Sequence, residues 1–247
     1  MPKRFSGIFC AQSVSGGFFV GSLWVSEVSL GINGRVVVGA TKSLVAGCHE
    51  RGDVVDTLLV QLDQDHPGFR DLKYRHRRDA IARIAQNHRA GDPVPEAPYT
   101  DEEHGVWRTI LETLRPLHAA LVCAQLNTVQ STMDLDQNHI PQLRGINDIL
   151  RNAIGWSMDP VAGLVTPRIF LERLGDNIFL STQYIRHHSR PLYTPEPDVV
   201  HELIGHAATL VHPGIAEVNR LLGDAADVAT EEEMERIGSM YWYTMEF

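Results

Sequence analysis

Apolar residues recur at helical spacing along most of the chain beyond residue 70. Such a stripe marks the buried face of an amphipathic helix. The clearest one lies in Asp101–Ala124 and contains Trp107, Ile110, Leu111, Leu114 and Leu117. Start and stop signals predict further helices at Tyr74–Ala90, Pro141–Ala153 and Pro167–Leu174. The pattern therefore predicts a mainly α fold with short β elements.

The first sixty residues follow a different pattern. They are rich in Gly, Ser and Val, and Val25–Leu30 and Arg35–Val38 have strand-like composition. No group of candidate catalytic residues occurs there. The change in composition predicts a separate N-terminal segment of unknown role at residues 1–60.

Composition and charge narrow the class of protein. With 43% hydrophobic and 21% charged residues, the 247-residue chain is typical of soluble globular proteins. Its net charge of −9 disfavours nucleic acid or an anionic membrane as a partner. The one dense basic run, Lys73–Arg78, lies on a predicted helix and is interpreted as a helix face that makes internal ion pairs.

The cellular compartment is predicted from cysteine usage and hydropathy. The three cysteines lack the spacing of a metal site or a disulfide framework, which favours a reducing compartment. No apolar run approaches the roughly 18 residues of a membrane span. A cytoplasmic protein without a membrane anchor is expected.

Two histidines, His201 and His206, are the first candidates for metal ligands. In an α-helix each residue turns by about 100°, so side chains five positions apart diverge by roughly 140°. The two rings are therefore expected to splay apart, and a third ligand must come from elsewhere in the chain. This spacing disfavours a zinc protease, whose helical histidines lie four positions apart.

A carboxylate near the C-terminus is the candidate third ligand. Thr230 and Glu233 form a capping-box pattern that predicts a last helix leading to Trp242 and Glu246. Glu246 lies among aromatic residues, where a carboxylate is costly to bury unless it is paired or bound to a metal. Asp198, one turn before His201, is expected to orient the His201 ring.

The segment from Gln183 to His206 reads QYIRHHSRPLYTPEPDVVHELIGH and closely resembles the core of the pterin-dependent aromatic amino acid hydroxylases. Shorter matches follow the family's order at Asp65–Phe69, Ile140–Leu143, Pro160–Leu164 and Tyr241–Phe247. The resemblance implies a catalytic domain at residues 61–247, of the phenylalanine 4-hydroxylase type. It implies Fe(II) and a tetrahydropterin as cofactors, and an aromatic amino acid and O2 as substrates.

The resemblance also assigns roles to single residues. It makes His201, His206 and Glu246 the catalytic iron ligands. The pterin contacts that it implies are Leu164, Val165, Phe170 and Glu202. The substrate contacts that it implies are Arg186 for the carboxylate and Thr194, Pro195 and Trp242 for the pocket. Arg78 and Glu196 match a charged pair that braces the site.

Trp242 with Tyr193–Thr194 resembles the phenylalanine enzymes more than the tyrosine or tryptophan ones. Phenylalanine-to-tyrosine hydroxylation is therefore the expected reaction. Where the family often has a histidine and a serine near the pterin, this chain has Leu180 and Pro167.

Two other functions stay open. Family catalytic domains continue well past the glutamate ligand, so the resemblance implies that the domain is incomplete at its C-terminus and leaves the oligomeric state open. A truncated, non-catalytic fragment that binds a metal or a partner is thus the main alternative. A zinc hydrolase is the third reading, which the histidine spacing disfavours.

Overall fold

The fold was examined in a computed structural model, which describes residues 62–89, 91–133 and 135–246 and the backbone of four short strands before them. Its helices confirm the mainly α prediction. The α-helices are α1 (Leu72–Gln86), α2 (Asp101–Leu121), α3 (Ala124–Met133), α4 (Leu143–Ile154), α5 (Pro167–Gly175), α6 (Ala208–Leu210), α7 (Pro213–Asp227) and α8 (Glu231–Tyr241). The described residues also include two π-helices, π1 (His201–Ala207) and π2 (Trp242–Glu246).

In the part of the chain that the structure describes, the strands are short and form three two-stranded pairs. They are β1 (Phe18–Val20), β2 (Leu23–Val25), β3 (Val28–Leu30), β4 (Val36–Val38), β5 (Ser157–Pro160) and β6 (Ile178–Ser181). The first four form the antiparallel pairs β1–β2 and β3–β4, which overlap the predicted strand-like segments. The rest of residues 1–61 lies outside the described residues. The strands β5 and β6 are parallel, with α5 as their crossover, and their pairing was not predicted.

Local capping explains where the predicted helices begin. Asp71 accepts a hydrogen bond from the Tyr74 backbone, so α1 begins two residues before its predicted start. Thr100 and Glu103 form a complete capping box at α2. Fully buried Trp107 anchors α2 in the core, and its indole nitrogen donates to the Asp136 carbonyl at 2.8 Å.

A close helix crossing fixes α5 against α7. Gly175 and Gly223 meet there, and a Cβ atom on Gly223 would lie 2.0 Å from the Gly175 backbone nitrogen. Only a glycine at position 223 allows this approach. The crossing sets the position of α5 and therefore of Phe170.

No helix in the described part of the chain has both the length and the apolar character that a membrane crossing requires.

Candidate metal centre

The chain enters the centre through the loop before π1. Asp198, 1% exposed at its side chain, accepts a hydrogen bond from the backbone nitrogen of His201 at 3.1 Å. The expectation that Asp198 orients the His201 ring was wrong: its carboxylate binds that backbone nitrogen and the Arg186 guanidinium. It therefore fixes the start of π1.

The two histidines meet because their helix is of the π type. Their Nε2 atoms lie 2.9 Å apart and their ring centroids 4.6 Å apart. The expected divergence was wrong because it assumed α-helical geometry. In a π-helix the backbone bonds join residues five positions apart, so His206 lies one turn above His201. Spacing that would separate two side chains on an α-helix brings them together here.

The third candidate ligand arrives on the second π-helix. Glu246 Oε2 lies 3.5 Å from His201 Nε2, and Glu246 Oε1 lies 3.3 Å from His206 Nε2. The helix α8, which begins with the predicted Thr230–Glu233 capping box, delivers it. The structure thus brings the three predicted ligands to one point from two different π-helices.

The charges at this point suit a cation. Burial by itself would raise the pKa of Glu246, but the charge and hydrogen bond of His206 outweigh burial and lower that pKa to about 2. Desolvation, reinforced by repulsion from His206, lowers the pKa of His201 to about 4. The centre therefore offers a neutral imidazole and a carboxylate at neutral pH.

His206 is the third of the candidate metal ligands. Burial opposes its charged form, but the nearby Glu246 carboxylate outweighs burial and raises the pKa of His206. A metal ion can take the place of that proton, because the ion also neutralises the carboxylate.

Glu202 also lies close to both histidines and competes as the third ligand. Burial raises the pKa of Glu202 to about 8, which disfavours the anion that a metal requires. Its Oε1 also accepts hydrogen bonds from the Thr182 nitrogen at 3.3 Å and the Thr182 hydroxyl at 3.2 Å. Glu246, anionic and adjacent to both Nε2 atoms, is the better ligand.

The donor set fits a divalent metal such as iron. With bonds of about 2.1 Å, two ligands at right angles are about 3.0 Å apart, and tetrahedral ligands about 3.4 Å. The observed separations of 2.9, 3.3 and 3.5 Å fall at these values. Two imidazoles and one carboxylate on one face are typical of non-haem Fe(II) oxygenases. His201, 32% exposed at its side chain, is the most exposed of the three ligands.

Arg186 is tied to the same centre through Asp198. Its Nε and Nη2 donate to Asp198 Oδ2 and Oδ1, both at 2.8 Å, in a two-pronged ion pair. The Arg186 side chain is only 11% exposed, and Nη1 makes a longer contact of 3.4 Å with the Pro191 carbonyl. The Asp198 carboxylate thus holds both Arg186 and the first residue of π1.

A buried ionic cluster braces the loop before π1, as expected for Arg78 and Glu196. Glu196 accepts a hydrogen bond from Arg78 and lies 3.3 Å from His66 Nε2. Burial would raise the pKa of Glu196, but His66 and Arg78 outweigh it and lower the pKa. The Arg78 guanidinium also stacks over Tyr184 at 3.8 Å. With Arg77 paired to Glu103, the predicted ion pairs of the basic run are confirmed.

An aromatic wall lies beside His206. The Phe179 ring is 4.8 Å from the His206 ring, and Phe170 packs edge-on against Phe179 at 5.3 Å and Tyr241 at 5.2 Å. Phe170, the predicted pterin-stacking residue, is only partly buried. The wall gives the metal centre an apolar flank suited to a flat ring.

The remaining predicted site residues lie on three segments of the chain. Leu164 is exposed and Val165 half-buried on the loop between β5 and α5. Thr194 donates to the Glu196 carbonyl at 2.7 Å, which shapes the turn that contains Pro195. Trp242 is half-buried and begins π2. Their binding roles stay predictions.

Sequence reasoning missed several residues of the centre. Thr182 holds Glu202, and His66 supports Glu196. Tyr241 is buried beside Phe170, and its hydroxyl has no hydrogen-bond partner among the described residues. Thr182 directly follows strand β6, while His66 and Tyr241 lie in the matched segments Asp65–Phe69 and Tyr241–Phe247. Their roles depend on contacts with Glu196 and Phe170, which are distant in sequence.

Comparison with known proteins places the whole region in one family. The family model described as biopterin-dependent aromatic amino acid hydroxylase matches residues 49–247. The chain is 42% identical over 196 residues to the chloroplastic phenylalanine 4-monooxygenase of Pinus taeda, covering 79% of this chain and 55% of that enzyme. It is 43% identical over 191 residues to the tyrosine 3-monooxygenase of Schistosoma mansoni, covering 76% and 41%.

The fold is similar to that of a solved structure of Chromobacterium violaceum phenylalanine hydroxylase with bound iron(III) and 7,8-dihydrobiopterin. The TM-score is 0.60 at 27% identity, over 66% of this chain and 62% of that one. The chain spans about half the length of the curated relatives it matches.

Proposed function

This chain belongs to the biopterin-dependent aromatic amino acid hydroxylase family, and we propose that it hydroxylates the ring of an aromatic amino acid with Fe(II), a tetrahydropterin and O2. The observation that carries the proposal is the convergence of His201, His206 and Glu246 on one point. Three ligands on one face leave the positions that an oxygen-using iron enzyme needs.

The substrate end of the site is proposed to lie at Arg186. A planar guanidinium suits a carboxylate, and Asp198 already holds two of its nitrogens in place. Because Asp198 also binds the His201 backbone, an amino acid held by Arg186 would lie at a fixed position relative to the metal. Thr194, Pro195 and Trp242 are proposed to line the side-chain pocket.

The pterin is proposed to lie against Phe170. A flat heterocycle needs an aromatic face and a few polar partners, and partly buried Phe170 and the carboxylate of Glu202 fit those needs. The hydrogen bonds that Thr182 donates to Glu202 both go to Oε1, which favours Oε2 as the ligand contact. Leu164 and Val165 would offer backbone groups, and the bound pterin would supply electrons that side chains cannot.

The protein's own contribution to the reaction is positioning. The two π-helices hold three ligand atoms on one face, and Asp198 holds Arg186. The aromatic wall of Phe170, Phe179 and Tyr241 excludes water from one flank of the centre. Such fixed geometry lowers the entropic part of the barrier before any bond is broken.

Phenylalanine is the proposed substrate within the aromatic class. Relatives named phenylalanine 4-monooxygenase, from Pinus taeda and Physcomitrium patens, and phenylalanine-4-hydroxylase, from Caenorhabditis elegans, support it. The tyrosine 3-monooxygenase of similar identity makes tyrosine the runner-up. Cytoplasmic location and a domain boundary near residue 61 stay predictions, although the family match begins at residue 49.

The decisive experiment loads the protein with Fe(II) anaerobically and then adds tetrahydropterin, O2 and each aromatic amino acid. We expect tyrosine from phenylalanine, in step with pterin oxidation. His201→Ala should abolish both iron retention and product, while His139→Ala, at a 66% exposed histidine, should change neither. Product formation that survives His201→Ala would overturn the proposed metal centre. Stoichiometric iron without any product would instead favour the non-catalytic fragment.

A further inference from the structure

A second group of potential metal ligands lies outside the centre described above. Asp71, His187 and His188 place a carboxylate oxygen and two ring nitrogens within 4.8 Å of one another. The acidic residue Glu102 adjoins them, since its Oε1 is 3.7 Å from His188 Nδ1. We propose that these four residues form a second divalent-cation site that takes zinc or a similar borderline ion.

The best-ordered pair in this second site is Asp71 with His187. Asp71 Oδ1 caps α1 by accepting from the Tyr74 nitrogen at 3.0 Å, which leaves Oδ2 directed at His187 Nε2, 3.3 Å away. That separation matches two neighbouring ligands of a tetrahedral ion, about 3.4 Å apart. The pair is already in place before any ion binds.

His187 is held rigidly in that orientation. The side chain is 7% exposed and packs edge-on against the Tyr74 ring at 4.9 Å. A methyl group on Gly68 would lie 3.2 Å from its ring carbon, so the loop before α1 also confines it. Little side-chain entropy remains to be lost on binding.

Ser189 orients the His187 ring. Its backbone nitrogen donates to His187 Nδ1 at 3.3 Å, and its Oγ lies 2.8 Å from the same atom. With Nδ1 as an acceptor, the proton of Nε2 points at Asp71, and a cation bound at Nε2 would shift that proton to Nδ1, where Ser189 Oγ can accept it. Outer partners of this kind commonly orient metal-bound histidines.

His188 and Glu102 supply the adaptable half of the site. The His188 side chain is 46% exposed and lies 4.2 Å from the His187 ring, so it can turn toward a shared ion without disturbing the core. Glu102 is 54% exposed, and its Oε2 lies 3.7 Å from an 87% exposed lysine, Lys73. Two imidazoles with two carboxylates favour zinc over magnesium or calcium, which prefer oxygen ligands alone.

Binding would join three segments of the fold. Asp71 lies at the start of α1, Glu102 in the first turn of α2, and the two histidines on the loop that follows Arg186. An ion at this point would therefore restrain the loop that holds the proposed substrate-binding arginine. It would also stabilise the folded chain by linkage, since the ligands come together only in that state.

Zinc binding to the apo full-length chain tests the proposal, with bound metal counted after equilibrium dialysis and melting followed with and without zinc. Zinc also fits the first centre, so we expect about two ions per wild-type chain and about one in either His188→Asn or His201→Ala. Asp71→Asn, which keeps the α1 cap, should weaken the second ion at least tenfold. His139→Asn serves as the surface-histidine control.

The two single-histidine variants separate this proposal from the proposed function. If His201→Ala lowers the number of bound zinc ions and His188→Asn does not, the second site is overturned and the proposed first centre still holds. Loss in His188→Asn alone would support the second site and count against the first. Zinc counts and zinc-induced melting shifts that are identical in wild type, His188→Asn and Asp71→Asn would also overturn it.

Discussion

Replacing Gly223 with alanine should destabilise the protein, although alanine is the better helix former. Gly223 lies inside α7, where helix propensity alone would make the change stabilising by about 0.5–1 kcal/mol. The new Cβ would lie 2.0 Å from the Gly175 nitrogen and 2.7 Å from the Gly175 Cα. Both contacts are to backbone, so no side chain can rotate away.

The magnitude follows from the distance that the helices must move. Ordinary Cβ contacts begin at 3.4 Å, so the approach must open by 3.4 − 2.0 = 1.4 Å. Overpacking of this kind costs about 1–3 kcal/mol, and occasionally more, which exceeds the propensity gain. We expect a net loss of about 1–2 kcal/mol, or about 2–8 °C in Tm for a domain of this size.

The matched control is Gly238→Ala in α8, where an added Cβ meets nothing within 4 Å. This change should raise stability by up to about 1 kcal/mol. Urea unfolding of both variants measures whether each change lowers or raises the free energy of unfolding. Gly223→Ala that is as stable as wild type would refute the close crossing of α5 and α7. Since α5 carries Phe170, the destabilised variant should also bind tetrahydropterin more weakly.

Three further outcomes are expected. Glu196→Gln should destabilise the fold at pH 7 by about 3–5 kcal/mol because it leaves Arg78 buried without its partner, as urea unfolding would show. The pKa of Glu196 in the folded protein lies below its ordinary value of 4.5. The difference in the free energy of unfolding between wild type and Glu196→Gln should therefore be fully present above pH 4.5 and decrease as the pH falls below it. A difference that does not change with pH would contradict this account. Arg186→Lys should raise the KM for the amino acid at least tenfold with little change in iron content. Lysine cannot reproduce the two-pronged ion pair with Asp198. An unchanged KM would show that Arg186 does not bind the substrate. Glu246→Gln should lower iron affinity at least tenfold by removing the anionic ligand, and unchanged iron retention would favour Glu202 as the third ligand.

Local signals in the sequence predicted the elements that depend on neighbouring residues. The apolar stripe around Trp107 predicted α2, and Thr230 with Glu233 predicted the start of α8. Capping and amphipathic spacing act over a few residues, so they can be recognised without the fold. The ligand set was identified from the family resemblance, and the structure brings those residues together.

Geometry that depends on distant contacts could not be predicted in this way. The expectation that His201 and His206 diverge was wrong because this segment is a π-helix, whose backbone hydrogen bonds join residues five positions apart instead of four. Tertiary packing determines whether a segment forms a π-helix or an α-helix. The role of Asp198 also differed from the expected one because it depends on tertiary contacts. Its partners, Arg186 and the His201 backbone, are selected by the folded loop.

The sequence by itself determined a mainly α chain, its family and the residue types available for a metal. Those properties reside in periodicity, capping and motif, all of which are local. Only the tertiary structure decided that two π-helices aim His201, His206 and Glu246 at one point, and that Gly175 and Gly223 let α5 approach α7. Such arrangements depend on close packing between segments far apart in the chain, where displacements of one or two ångströms decide which atoms can meet.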